Sequence, residues 1–244
     1  MELLPAFEAG ELTDAGTRVR NWGTILRRLE IARQWARSPV LDIGAGTGWL
    51  SLHLKHWGFE VTASDYLDES LANFNANLEV AGLEIPISRQ DVTNLTYDDG
   101  QFASLFCISV LPYVPDLDGG LAELKRVLQP GGIAVLGCIN GYGAYTLMND
   151  RDPRTLFRRI RDRGGRYPHP HHLHGPGWWK RRLGQDFDVI EVMPIEIFTP
   201  ALARFLGYEA SEPWTHRDVR LAARMPKELA SELLYVLRAP EAGG

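Results

Sequence analysis

The feature that most limits what this chain can become is a rhythm of apolar runs and helix-spaced segments between Val40 and Ile139. "VLDI" leads into Gly44, Gly46 and Gly48, and Leu50, Leu54 and Trp57 then recur at helical spacing until Gly58. "FEVTASD" ends at Asp65, and Leu71, Phe74 and Leu78 share one face of a helix over 68–81 before Gly82. A short strand at 86–90 precedes Asp91, and "FASLFCISV" (102–110) is a continuous apolar run of the kind buried on both faces. Asp116 or Asp118 can cap a helix striped by Leu121, Leu124 and Leu128, with "QPGG" ending it and "IAVLGCI" following as strand five. Alternation at this pace predicts a doubly wound α/β fold, a parallel sheet with helices on both faces.

The rhythm breaks after strand five. Residues 140–186 predict a helical and loop cap over the carboxyl edge of the sheet, and "FDVIEVMPI" and "LLYVLRA" predict strands six and seven. "RVRNWGTILRRLE" within residues 1–38 predicts a helical lid, and 196–232 a second, helical insert. At 244 residues, 45% hydrophobic and 23% charged, the chain is expected to form a single globular domain.

Net charge of -5 argues against a general nucleic-acid partner, which would need an excess of Lys and Arg to neutralise phosphates. The exception is 151–182, with ten basic residues against two acids, which predicts an anionic substrate or a solvated helix face. Cys107 and Cys138 lie inside apolar runs and form no disulfide framework, no secretory pattern opens the chain, and the stretch 131–149 is too glycine-rich to span a membrane. These features predict a cytoplasmic protein. They leave its oligomeric state open.

Chemistry narrows at the glycines. A dinucleotide fingerprint needs Gly or Ala three residues after Gly46, where Trp49 stands, and a phosphate loop needs a Lys that is missing after Gly48. Asp42 at the base of the turn would repel a pyrophosphate and attract an ammonium. The pattern Asp42-x-Gly44-x-Gly46-x-Gly48 resembles the glycine motif of class I S-adenosylmethionine-dependent methyltransferases, and the resemblance extends over about 40–137.

That resemblance implies a Rossmann-like sheet of seven strands, mostly parallel, in the order 3-2-1-4-5-7-6 with strand 7 antiparallel. It implies S-adenosylmethionine as cofactor and S-adenosylhomocysteine as product. Asp42, Gly44, Ala45, Gly46 and Gly48 would hold the amino-acid end, Asp65 the ribose hydroxyls, Asp91 and Val92 the adenine, and Tyr66 would also contact the cofactor. Ser109 and Val110, at the end of strand four, would flank the reactive methyl. Tyr113 occupies the place of a histidine in many relatives and is a candidate catalytic residue. So are His171, His172 and His174 of "HPHHLHG", as general bases on an acceptor. That cluster, with His169, has no nearby Cys and matches no zinc spacing, so no metal is expected. "SVLPY" lacks the double proline of enzymes that methylate exocyclic amines. The expected reaction is methyl transfer to an O, N or C atom of a small molecule. A protein or RNA methyltransferase using the 151–182 surface, and a binder of S-adenosylmethionine that transfers nothing, are the alternatives.

Overall fold

The computed structural model describes residues 3–12, 22–141, 171–196, 230 and 232–241. Its strands are β1 (Val40–Ile43), β2 (Val61–Asp65), β3 (Ile87–Arg89), β4 (Phe102–Ile108), β5 (Leu128–Ile139), β6 (Asp188–Glu196) and β7 (Glu232–Arg238). They form one sheet in the order β3-β2-β1-β4-β5-β7-β6. β1 to β5 pair in parallel, and β7 runs antiparallel to both β5 and β6. The expected sheet order and the antiparallel seventh strand are therefore both present.

β1 lies between β2 and β4, and all four of its residues are buried, Asp42 among them, as the place of a central parallel strand covered on both faces requires. β5 shows how two layers of core arise. Ile133 and Val135 join Leu52, Leu54, Phe74 and Leu234 on one face, while Ala134, Leu136 and Cys138 join Leu105, Leu121, Leu124 and Tyr235 on the other. This is the two-residue alternation of a pleated strand.

Helices cover both faces: α1 (Pro5–Glu8), α2 (Trp22–Trp35), α3 (Trp49–His56), α4 (Asp68–Ala81), α5 (Leu117–Val127) and α6 (Pro176–Leu183). α5 starts where expected, with Asp116 Oδ1 accepting from the Gly119 N–H at 3.0 Å. Its end differs from expectation. Leu128 is extended, opens β5 and pairs with Phe102, and "QPGG" lies within that strand. Leu128 remains 3% exposed, so it reaches the same core from strand geometry. A register shift between Phe102 and Ser104 absorbs the positive φ of Gly131 (69°).

The 196–232 insert lies outside the described residues except at its ends, as do 142–170 of the cap and 13–21 of the lid segment. Among the described residues no helix is long and apolar enough to cross a membrane.

Candidate functional site

Because β1 to β4 run parallel, the segments that leave their carboxyl ends gather along one edge of the sheet. Gly44, Gly46 and Gly48 have φ of 68°, 59° and 85°, a region open to glycine at no steric cost. Their surroundings differ. A β-carbon on Gly44 would overlap Val110, and one on Gly48 would overlap the Phe74 ring, whereas one on Gly46 would meet nothing within 4 Å. Packing accounts for glycine at 44 and 48. At 46 the backbone faces open space, which is what a bound ligand requires.

Acids fix this turn. Asp65 Oδ2 accepts from the Gly46 N–H at 2.9 Å and Oδ1 from the Leu67 N–H at 2.9 Å. Asp65 thus ties the end of β2 to the turn after β1, and each oxygen keeps a lone pair for a ligand hydroxyl. Asp42, 3% exposed, accepts from Ser51 Oγ at 2.6 Å. Burial raises its carboxyl from 3.8 to about 6, the Ser51 hydrogen bond opposing the rise and Asp65 adding to it. A cation beside Asp42 would offset that desolvation. Asn77 Nδ2 donates to Thr47 O at 2.8 Å and anchors the middle of the turn to α4.

Towards the outer strands, Tyr66 is 56% exposed with the Arg89 guanidinium 5.1 Å from its ring centre. Asp91 Oδ1 accepts from the Thr93 N–H and hydroxyl, at 2.9 and 2.8 Å. Val92 is buried beside Gly120 of α5, so its side chain belongs to the core. These residues fit a ligand with an ammonium, a vicinal diol and a flat ring, the chemistry of S-adenosylmethionine.

At the end of β4, Ser109 has φ 61° and Val110 packs over Gly44. Leu111–Tyr113 forms a 3-10 turn. The strap carrying the histidines crosses this turn: the His171 and His172 N–H groups donate to Pro112 O at 2.7 and 3.1 Å, and Gly141 N–H donates to His174 O at 3.0 Å. The structure thus brings Tyr113, His171, His172 and His174 together although 58 residues separate Tyr113 from His171. His172 Nε2 lies 3.0 Å from Val114 O; a carbonyl only accepts, so Nε2 is the donor. His174 stacks on Trp178 with ring centres 3.5 Å apart, and burial followed by His172 holds its pKa below the usual value. His171 is exposed. Among the described residues no group of three or more His, Cys, Asp or Glu is arranged to hold a metal.

Four residues that serve the site escaped the sequence reading: Ser51, Asn77, Arg28 and Glu232. Ser51 and Asn77 lie on the helices after strands one and two and carry only the faint signal of polar residues on apolar faces. Arg28 Nη2 donates to Glu232 across 204 positions, and no spacing announces that pair.

Comparison with known proteins agrees with this geometry. Residues 41–136 match the family described as "Methyltransferase domain". The demethylmenaquinone methyltransferase of Thermus thermophilus is 34% identical over 112 residues, covering 45% of this chain and 51% of that protein. The ubiquinone biosynthesis O-methyltransferase of Xanthomonas euvesicatoria is 31% identical over 114 residues, 46% of each chain. The chain thus spans about half the length of these curated relatives. A crystal structure of an S-adenosylmethionine-dependent methyltransferase from Thermotoga maritima shares the fold at a TM-score of 0.63 and 14% identity, over 90% of this chain and 91% of that one. Glycine turn, sheet order and family match converge: residues 41–136 match a methyltransferase domain, within the sheet order that the resemblance to class I S-adenosylmethionine-dependent methyltransferases implies.

Proposed function

We propose that the protein transfers a methyl group from S-adenosylmethionine to a small molecule. The observation that carries this reading is the turn at Gly46, which faces open space and is held by Asp65 while Asp42 waits desolvated beneath it. Bound there, S-adenosylmethionine supplies a methyl on a sulfonium that a nucleophile can take, leaving S-adenosylhomocysteine. Asp42 draws the ammonium, Gly44, Ala45, Gly46 and Gly48 let the backbone approach it, and Asp65 receives the ribose hydroxyls. Tyr66 would contact the adenosine, Asp91 would accept from the adenine amine, and Val92 supports that turn. Ser109 and Val110 flank the reacting end, and Tyr113 with the 171–174 strap walls the acceptor side. Alignment of this kind contributes roughly 7–11 kcal/mol in well-oriented systems.

Two observations favour a small acceptor over a macromolecule. The relatives reported above are named for quinones. In the basic block, Arg182 is engaged by Asp118 and Asp186, so that cation serves the fold. Incubation of the full chain with S-adenosylmethionine and a demethylated quinol, bulk RNA or bulk protein tests the choice. S-adenosylhomocysteine release is expected with the quinol. Turnover on RNA or protein alone, falling with salt, would replace the small acceptor with a polymer.

A further inference from the structure

Three residues distant in sequence meet at the carboxyl end of β4. Arg28 of α2 donates from Nη2 to Ser109 Oγ at 3.2 Å and to Glu232 Oε2, and Ser109 Oγ donates to Glu232 Oε1. Glu232 opens β7 and is 5% exposed. Its carboxyl crosses β5 at Gly137, where a β-carbon would stand 2.8 Å from Oε1. The cluster borders the glycine turn, since Val110, next to Ser109, packs over Gly44.

Two local costs fall on this cluster. Ser109 is the non-glycine residue with positive φ (61°) among the described residues, a conformation glycine would adopt without strain. The Arg28 Nε–H is enclosed with no acceptor. Unfavourable backbone and unsatisfied buried donors concentrate where function holds them in place. What serine adds over glycine at 109 is a hydroxyl, and that hydroxyl is half-buried with a carboxylate behind it.

We propose that Ser109 and Glu232 form a proton relay for an acceptor hydroxyl, with Arg28 as the positioning residue that fixes the carboxylate. The inference rests on the methyltransferase reading above. The acceptor O–H bond breaks and its proton passes to Ser109 Oγ, while Ser109 gives its own proton to Glu232 Oε1. The electron pair left on the acceptor oxygen forms the new carbon–oxygen bond as the methyl carbon–sulfur bond of the donor breaks and its pair goes to the sulfur, and Glu232 later returns its proton to water. An amine with a free lone pair needs no such base before attack; a hydroxyl at neutral pH does. The relay therefore assigns the acceptor to the class of hydroxyl-bearing molecules.

The test compares the full chain with Ser109→Gly and Glu232→Gln, using catechol and hydroquinone as hydroxyl probes and aniline as the amine control. Thermal unfolding and S-adenosylhomocysteine affinity are measured beside turnover. Ser109→Gly is expected to unfold no earlier than the wild type, because the strain is relieved, and to bind S-adenosylhomocysteine within about twofold. Its turnover of the hydroxyl probes should fall by roughly 10²–10⁴-fold, with a residual rate that climbs with hydroxide as the probe ionises unaided. Glu232→Gln should show the same pH dependence. Wild-type rate and pH profile in both variants, or wild-type turnover confined to aniline, would overturn the relay. Failure of the wild type to bind S-adenosylhomocysteine would instead overturn the methyltransferase reading.

Discussion

Burial lifts the Asp42 carboxyl from 3.8 to about 6, with the Ser51 hydrogen bond acting against the rise and Asp65 adding to it. A folded pKa above the unfolded one means that the folded state holds the proton more tightly between these values. Stability therefore falls as pH rises through the window, and the loss is complete above it. Two units correspond to about 3 kcal/mol. Asp42→Asn keeps an acceptor for Ser51 and removes that cost. Urea unfolding near neutral pH should show the variant more stable by up to about 3 kcal/mol, with the gain vanishing toward the acid end of the window. An unchanged midpoint would mean that the carboxylate is solvated. The same variant should bind S-adenosylhomocysteine more weakly, because the ammonium loses its counter-charge.

The glycines separate packing from binding at the same scale. Gly48→Ala drives a methyl into the Phe74 ring at φ 85° and should cost about 2–4 kcal/mol in thermal unfolding. Gly46→Ala meets no atom, so it should cost only about 1 kcal/mol of backbone strain yet weaken S-adenosylhomocysteine. Equal losses of stability at both positions would contradict this division. The glycine spacing was readable because a tight turn imposes it locally. Which glycine is packed and which is open depends on Val110 and Phe74, and no local pattern announces those neighbours.

Among the elements, α1 docks on α3 through Phe7, a buried member of the core. Phe7 meets Trp49 and His53 edge-on at 4.9 and 4.7 Å between ring centres. Burial lowers His53 to about 4 from 6.5, its hydrogen bond to Trp49 O opposing and His56 adding to the fall. A lowered histidine contributes stability that is present above about 6.5 and lost as pH falls through the window. His53→Phe should therefore shift acid unfolding followed by circular dichroism to lower pH, by up to about 3 kcal/mol at the acid end. A midpoint unmoved by the substitution would show that another group controls acid unfolding. Strands and helices over 40–139 were legible because each repeats its period several times. Leu128 was misplaced because a leucine one turn beyond Leu124 satisfies a helical stripe and a buried strand equally well. The 171–174 strap has no period at all; its order comes from backbone hydrogen bonds to Pro112 O.

For the whole molecule, alternation predicted the parallel layers, and the order of the strands came from resemblance. Parallel strands deliver the ends of β1 to β4 to one edge, and antiparallel β7 delivers its first residue, Glu232, to the same edge opposite Ile139. Long-range closure of this kind joins residues that sequence distance hides, which is why the glycine turn and its acids could be picked out in the sequence and the Arg28–Ser109–Glu232 cluster could not. The central claim is that the glycine turn holds S-adenosylmethionine and its product, and calorimetric titration of S-adenosylhomocysteine into the full chain and into Gly46→Leu tests it most directly. The account predicts one equivalent bound by the wild type, with affinity reduced by roughly 100-fold or more in the variant, a loss of about 3 kcal/mol. No binding by the wild type, or equal binding by both proteins, would contradict it.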